Sequence, residues 1–298
     1  MHIFDLHADT PTKLFYQKKN FDDTTLSLSV ADVRHWESCT QVMAFFCREC
    51  LTDDGAYRAF FAMRADTLSK IAPHRQNFTP ILAVEDARLL GNSRERLPRL
   101  AECGVAILTL LWRGETVIGG AFDTNRGLTS FGRDILSDCF DLGIHPDLSH
   151  ASENAFWEAA ETATARRRPL LATHSNARAV CPHPRNLYDD QFVAIQRGGG
   201  LVGLCLCPEH LTAARDATLA DAVRHLEHWL ALGGEDTVAL GTDFDGIEKT
   251  PIGLSRSRDL AALAEELLRL GYREETVRAI FYKNAERYFK IQKEQKET

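Results

Sequence analysis

The sequence predicts an α/β fold: a closed (β/α)₈ barrel of the TIM type, with extra helices at its carboxyl end. Eight short apolar runs alternate with amphipathic stretches whose apolar residues return every three or four positions, and this alternation is typical of a parallel sheet covered by helices. Eight such units in 298 residues fit a closed barrel better than an open sheet. No G-x-G-x-x-G follows any of these runs, which removes the main sign of a dinucleotide-binding fold.

The predicted strands are, in chain order, 2–9, 41–47, 80–85, 105–112, 145–150, 169–175, 201–207 and 238–245. The helices predicted between them include 54–71, 130–142, 153–166, 187–197 and 215–232. Two further helical segments, 258–270 and 274–290, follow the last strand, and we expect the second to pack on the outside of the barrel. Because no linker or repeat interrupts this series, we expect residues 1–298 to form a single domain.

The composition is typical of a globular protein, with 44% hydrophobic residues, 26% charged residues and a formal net charge of −7. Basic clusters are short, so nucleic acid is not an expected partner. No apolar run approaches the roughly 20 residues that span a bilayer. No signal pattern follows Met1. We therefore expect no membrane association and a cytoplasmic location.

The eight cysteines are scattered along the chain, and we interpret them as reduced core residues. Two short pairs, Cys47 with Cys50 and Cys205 with Cys207, raise the alternative of a four-thiolate zinc site. Both pairs lie on or beside predicted strands and lack the glycine-rich turns that such sites use, so this alternative is the weaker one.

Side chains that can bind a metal end five of the predicted strands. They are His7 and Asp9 on the first strand, Glu85 on the third, His150 on the fifth, His174 on the sixth and Asp243 on the eighth. The carboxyl ends of barrel strands face one rim, where active sites of this architecture lie. His7 and Asp9 are two residues apart, so both point to the same side of an extended strand. A single histidine at a strand end is usually structural, but the recurrence at five strands predicts a metal site.

Imidazole and carboxylate ligands suit Zn²⁺. Four or five protein ligands are too many for one open catalytic zinc, which usually keeps three. Divided between two ions about 3.5 to 4 Å apart, with Glu85 able to bridge them, they leave room for a bridging hydroxide as nucleophile. We therefore expect two zinc ions per chain.

Five polar segments follow one another along the chain. They are "DLHADTP", "LAVEDA", "DLSHAS", "THSNARAV" followed by "HPRNLYDD", and "GTDFDG". In order and spacing they resemble the motifs of the membrane (renal-type) dipeptidase family of the amidohydrolase superfamily, in the form of a bacterial-like member. The resemblance runs from residue 4 to about 289. It implies a zinc-dependent metallo-dipeptidase, whose small-molecule substrates include dipeptides with D-residues at the carboxyl side. It also implies a homodimer, the state of many family members.

Matched to these motifs, five residues take the family's metal-binding roles. The resemblance implies that His7 and Asp9 bind one zinc, that His150 and His174 bind the other, and that Glu85 is the catalytic carboxylate shared by both.

Four further residues are implied to contact the substrate. Arg185 of "HPRN" matches the anchor for the substrate's carboxylate, which suits a forked guanidinium. Asp243 matches the catalytic acid/base. His210 lies where the family often has a tyrosine near that carboxylate. Trp112 departs from the renal-type pattern, in which a histidine polarises the scissile carbonyl, although bacterial-like members commonly carry tryptophan there. A neutral indole donates one hydrogen bond but cannot become a cation.

Three polar residues are interpreted as structural. Asp245 is expected to stabilise its loop, while His225 and His228, three residues apart, are expected on the surface of an amphipathic helix. Two alternative functions also remain open. One is an amidohydrolase that acts on N-acyl amino acids or cyclic amides with the same metal centre. The other is a non-catalytic binding barrel, which the complete set of five metal ligands disfavours.

Overall fold

A computed structural model describes residues 1–297 of the chain, with side chains described through residue 290. Eight parallel strands follow one another around a closed barrel, and β8 pairs with β1 to complete it. The strands are β1 (His2–Ala8), β2 (Ser38–Phe46), β3 (Phe78–Glu85), β4 (Val105–Thr109), β5 (His145–Asp147), β6 (Leu171–Ser175), β7 (Leu201–Leu204) and β8 (Val238–Leu240). The (β/α)₈ barrel predicted from the sequence is therefore confirmed.

Helices connect the strands and cover the barrel. They are α1 (Thr10–Tyr16), α2 (Val30–His35), α3 (Asp53–Ile71), α4 (Arg96–Glu102), α5 (Ser130–Leu142), α6 (Glu153–Ala165), α7 (Asp189–Arg197), α8 (Pro208–Leu211), α9 (Leu219–Ala231), α10 (Leu260–Arg269), α11 (Glu274–Arg278) and α12 (Asn284–Glu297). Sequence reasoning did not find α1, α2, α4 and α8, because helices of seven residues or fewer are too short to show an amphipathic period.

Hydroxyl side chains determine where three of the long helices begin. The Oγ atoms of Thr52, Thr129 and Ser152 each accept a hydrogen bond from the backbone N–H three residues later, at the first turns of α3, α5 and α6. Thr218 and Asp221 form a reciprocal cap that begins α9 four residues after the predicted start at 215.

The last helical region closes the barrel. A π-helical turn at Ala279–Lys283 divides it into α11 and α12. Val277 and Phe281 pack in the large cluster between strands and helices, whereas Ala285 and Tyr288 join a smaller cluster to which seven strands contribute. Residues from seven strands of a closed barrel meet in its interior, so Ala285 and Tyr288 cover an end of that interior. The prediction that 274–290 packs on the outside of the barrel is therefore wrong for α12.

Strand register and one pair of glycines determine which polar residues are neighbours in the barrel. Glu85 pairs with Thr109, and Thr109 pairs with Asp147, so these three residues are neighbours across β3, β4 and β5. A Cβ atom at Gly203 would lie 2.0 Å from the carbonyl oxygen of residue 173, and one at Gly241 would lie 1.8 Å from it. These two glycines therefore let β6, β7 and β8 approach closely. In the described part of the chain, no helix combines the length and apolar character needed to cross a membrane.

Candidate metal centre and active site

Five predicted metal ligands converge at the carboxyl rim of the barrel. His7 lies in β1, Glu85 is the last residue of β3, and His174 lies in β6. Asp9 and His150 lie just beyond their strands, because β1 ends at residue 8 and β5 at residue 147. All five residues are buried, with at most 7% of their surface exposed.

Glu85 contacts both halves of this cluster through different oxygens. Its Oε2 atom lies 3.4 Å from His7 Nε2, which is also 3.4 Å from Asp9 Oδ2. Its Oε1 atom lies 3.2 Å from His150 Nε2 and 3.6 Å from His174 Nε2. The ligand atoms therefore form two groups that share one carboxylate, His7 with Asp9 and Glu85, and Glu85 with His150 and His174.

Hydrogen bonds at the far side of two imidazoles determine their tautomers. His150 Nδ1 lies 3.0 Å from the carbonyl oxygen of Trp112, which can only accept, so this nitrogen carries the hydrogen. Thr173 Oγ1 donates to Asp147 at 2.7 Å and therefore accepts from His174 Nδ1 at 2.8 Å. Both Nε2 atoms then present bare lone pairs, and they lie only 2.9 Å apart. Two lone pairs at this distance repel each other unless a positive charge lies between or beside them.

The donor set fits a divalent cation. His7 Nε2 is buried without a hydrogen-bond partner, and imidazole nitrogen with carboxylate oxygen is a ligand combination that zinc prefers. Burial favours the neutral form of His7, but the nearby charges of Glu85 and Asp9 outweigh it and hold the pKa of His7 well above its ordinary value. The same negative charges that favour a proton on His7 favour a metal ion in its place.

Asp147, which sequence reasoning did not single out, supports the cluster from below. It is fully buried and accepts hydrogen bonds from the hydroxyls of Thr109, Ser149 and Thr173 at 2.6 to 2.7 Å, and from two backbone N–H groups. One of its oxygens also lies within 4.8 Å of ligand atoms of two of the site's histidines. Its signal in the sequence is an aspartate inside the predicted fifth strand, three residues before a predicted ligand.

Arg185 is a buried cation with few polar contacts. It is 4% exposed, its Nη1 atom has no hydrogen-bond partner, and Nη2 donates one long bond of 3.4 Å to the carbonyl oxygen of His174. Burial lowers the pKa of Arg185, although a guanidinium stays charged. A buried, incompletely paired guanidinium beside the metal-ligand cluster suits a negatively charged ligand group.

Asp243 lies close to Asp9 of the cluster. A Cβ atom at Gly246 would lie 2.3 Å from Asp9 Oδ2 and 2.5 Å from Asp243 Oδ1, which shows how closely these carboxylates approach each other. Burial, with a further contribution from the charge of Glu85, raises the pKa of Asp243 to about 6. Sequence reasoning did not place Cys205 here, but its Sγ atom lies 3.8 Å from Asp243 Oδ2.

Trp112 and His210 have different aromatic neighbours. The ring of Trp112 is 4.6 Å from that of Phe46 and 6.1 Å from that of His150, measured between centroids. His210 packs its ring 4.5 Å from that of His183. Burial and the charge of Arg185 lower the pKa of His210 to about 2, so it is neutral.

The residues interpreted as structural lie outside the cluster. Asp245 binds Thr10, Lys13 and the backbone N–H of residue 27, as expected of a residue that stabilises its loop. His225 is not on the helix surface as predicted, because it is fully buried and joins the N–H of residue 177 to the carbonyl of residue 211. His228 pairs with Asp189 at 2.7 Å. Within the described residues, no candidate metal group includes a cysteine.

Comparison with known proteins gives one family. The family model described as membrane dipeptidase (peptidase family M19) matches residues 1–298. Dipeptidase 3 of Rattus norvegicus is 30% identical over 223 residues, which cover 72% of this chain and 45% of the rat protein. The chain spans about half the length of the curated relatives it matches.

Two solved structures match almost the whole chain. A dipeptidase described as a metallopeptidase of family M19 superposes with a TM-score of 0.90 at 26% identity, covering 97% of this chain and 98% of that chain. A metallopeptidase from Rhodobacter sphaeroides was solved with a phosphinate mimic of the dipeptide L-Ala-D-Ala. It superposes with a TM-score of 0.89 at 25% identity, covering 97% of this chain and 99% of that chain.

Proposed function

The chain belongs to the membrane dipeptidase family, peptidase family M19, as its sequence motifs predict, and from this premise we propose that it hydrolyses dipeptides with the help of two zinc ions. The observation that carries the proposal is the convergence of two ligand groups on the two oxygens of Glu85. Two relatives support it, since the rat protein is named a dipeptidase and the Rhodobacter sphaeroides enzyme was solved with a dipeptide mimic.

In this proposal His7 and Asp9 would hold one ion, His150 and His174 would hold the other, and Glu85 would be a ligand of both. When bound, such ions lower the pKa of water toward about 7 and polarise the scissile carbonyl.

Arg185 binds the carboxylate at the far end of the substrate. The unpaired Nη1 atom supports this role, because a buried donor without a partner gains a charge-assisted hydrogen bond when a carboxylate arrives. The Nη2 atom of Arg185 lies 3.4 Å from the carbonyl oxygen of His174, so the proposed anchor is close to a proposed metal ligand. A fixed and short distance between the anchor and the reacting centre favours dipeptides over longer peptides.

Asp243 transfers the proton. Burial raises the pKa of Asp243, which makes its carboxylate a stronger base toward the proton of the attacking water. It then gives this proton to the nitrogen of the leaving amine. Trp112 supplies an apolar wall beside His150, and the neutral His210 supplies a second polar group near Arg185.

The decisive experiment is a hydrolysis screen of the purified protein with added Zn²⁺. The panel contains L,L-dipeptides, dipeptides with a D-residue at the carboxyl side, N-acyl amino acids and cyclic amides. We expect dipeptides, including the L,D series, to be the best substrates, and elemental analysis to show about two metal equivalents per chain. Turnover of N-acyl amino acids or cyclic amides alone would replace the proposal with the other amidohydrolase function. A metal content near zero after zinc addition would refute the metal centre.

The proposed role of Arg185 has a specific test. Arg185→Lys replaces a forked contact with a point charge, so kcat/KM should fall for dipeptides with a free carboxylate. Hydrolysis of the matched dipeptide carboxamides should change little, because they lack the group that Arg185 binds. An equal loss on both substrate types would remove Arg185 from the substrate site.

A further inference from the structure

The polar contacts of Arg185 do not explain how its side chain is held. The long hydrogen bond to the carbonyl of His174 fixes one nitrogen weakly, and Nη1 has no partner. No ion pair joins Arg185 to a carboxylate among the residues that the structure describes. A flexible guanidinium without such support loses conformational freedom when it binds a ligand, which weakens binding. Some other contact therefore has to orient it.

Phe122 supplies that contact. The guanidinium carbon of Arg185 lies 5.7 Å from the centroid of the Phe122 ring, within the range of a cation–π interaction. The same ring lies 6.2 Å from that of His150 and 6.5 Å from that of His183. His183 in turn accepts a hydrogen bond from the backbone N–H of Arg185 through its Nδ1 atom, so the loop that carries Arg185 packs against Phe122 as well.

The backbone of Phe122 is fixed to the proposed metal ligands. Its N–H donates to the carbonyl oxygen of His150 at 2.9 Å, and Ala121 pairs with Ala151 as an isolated bridge. Gly120, which precedes this bridge, is fixed as well, because its carbonyl oxygen accepts a hydrogen bond of 3.1 Å from the N–H of Ser152. Phe122 therefore touches the proposed carboxylate anchor with its ring and a proposed metal ligand with its backbone.

We propose that Phe122 is a positioning residue, which fixes the Arg185 guanidinium at a set distance from the metal centre and thereby selects substrates with a carboxylate at that distance. This inference rests on the proposed function, because it assumes that Arg185 binds the substrate's carboxylate. Preorganisation of this kind improves substrate binding more than the chemical step, since the ordering of Arg185 precedes the reaction.

The test compares Phe122→Leu, which keeps an apolar side chain but removes the aromatic face, with Phe122→Tyr, which keeps the face. For a dipeptide with a free carboxylate, Phe122→Leu should raise KM about tenfold and leave kcat nearly unchanged, as expected for loss of a desolvated cation–π contact. For the matched dipeptide carboxamide, kcat/KM should not change. Phe122→Tyr should behave as the wild type on both substrates.

A double-substitution cycle separates positioning from general packing. In the Arg185→Gln background, Phe122→Leu should have no further effect on KM, because the group that it positions is already gone. Full additivity of the two substitutions, or an equal loss on the acid and the carboxamide, would overturn the proposal. Thermal unfolding of each variant shows whether a loss comes from stability.

A second measurement needs no turnover. Phenylglyoxal modification of Arg185, followed by peptide mass spectrometry, should be faster in Phe122→Leu than in the wild type and Phe122→Tyr, because the guanidinium is no longer held. An unchanged rate would overturn the positioning role even in an active enzyme. A wild-type protein that hydrolyses no dipeptide would instead overturn the proposed function, and the modification rates would still decide the role of Phe122.

Discussion

Asp243→Asn should abolish proton transfer and leave the fold intact, and the structure provides a matched control two residues away. Asp243 and Asp245 both adopt positive φ, at 62° and 67°. Asparagine tolerates this left-handed region as well as aspartate does, so neither substitution strains the backbone. The two carboxylates differ in their partners, because Asp243 faces the metal-ligand cluster whereas Asp245 holds its loop.

The two substitutions are expected to change different quantities, the rate for Asp243→Asn and the stability for Asp245→Asn. General acid–base catalysis contributes about 10² to 10⁴ in rate, or about 2.7 to 5.4 kcal/mol in the activation barrier, so kcat of Asp243→Asn should fall by that factor. Asp245→Asn replaces an oxygen acceptor with an NH₂ group beside Thr10 and Lys13, which donate at 2.7 and 3.2 Å. Lost hydrogen bonds of charged groups cost about 1 to 3 kcal/mol of unfolding free energy. The melting temperature should fall by about 2 to 6 °C.

The assay measures kcat and KM on the best dipeptide, the metal content and the thermal midpoint of both variants. Asp243→Asn should keep its metal and its midpoint but lose turnover, while Asp245→Asn should keep turnover and lose stability. If Asp243→Asn retained activity within a few-fold of the wild type, another group would have to carry the proton. If it lost metal and activity together, Asp243 would instead support the metal centre.

Three other substitutions test separate parts of the site. Glu85→Gln should reduce the metal content from about two equivalents to one or fewer, because an amide nitrogen cannot serve as a ligand; full occupancy would exclude Glu85 as the shared ligand. Asp147→Asn should weaken metal affinity about 10- to 100-fold, measured by competition with a chelator, since it disturbs the hydrogen bonds that orient the ligands; unchanged affinity would contradict that support. Trp112→His should lower kcat/KM on the best substrate about tenfold, as expected if packing worth about 1.4 kcal/mol is lost, and should shift preference toward bulkier substrates. A gain on all dipeptides would show that the indole only fills the position.

The convergence of the proposed metal ligands could be predicted because barrel geometry concentrates strand ends at one rim. His7, Glu85 and His174 end or lie in strands that the apolar runs reveal, and parallel strands in a barrel bring their carboxyl ends together. The position of each strand end was less accurate, since β5 stops at residue 147 and β8 at residue 240, three residues before His150 and Asp243. This error did not change the predicted site, because the turns that follow the strands still place these side chains at the rim.

The contacts that orient the ligands could not be predicted, because they join residues far apart in sequence. Thr173 donates to Asp147, which lies 26 positions earlier, and Phe122 contacts Arg185 although the two residues are in different loops without a periodic pattern. His225 shows the same limit, since helical spacing predicts a surface position and only the fold shows that it is buried between the backbone of residue 177 and the end of α8 at residue 211.

The buried carboxylates Asp5 and Asp147 form a lower layer of the barrel and Glu85 belongs to an upper layer, and the two layers differ in their hydrogen-bond partners. Asp5 and Asp147 are surrounded by donors, since Asp5 accepts from the hydroxyl and N–H of Thr242 and from the N–H of His7, while Asp147 accepts from three hydroxyls. Glu85, in contrast, faces imidazole nitrogens, and the lone pairs on His150 and His174 face each other. The carboxylates of the lower layer therefore have their hydrogen-bond donors within the protein. These hydrogen bonds make the polar rim of the barrel rigid. The upper layer has an excess of electron-pair donors, because Glu85 and the facing Nε2 atoms of His150 and His174 lie close together with few hydrogen-bond donors between them. Because the lower layer holds the electron-rich cluster rigid, its side chains cannot move apart to reduce the repulsion. Bound cations would relieve that repulsion instead.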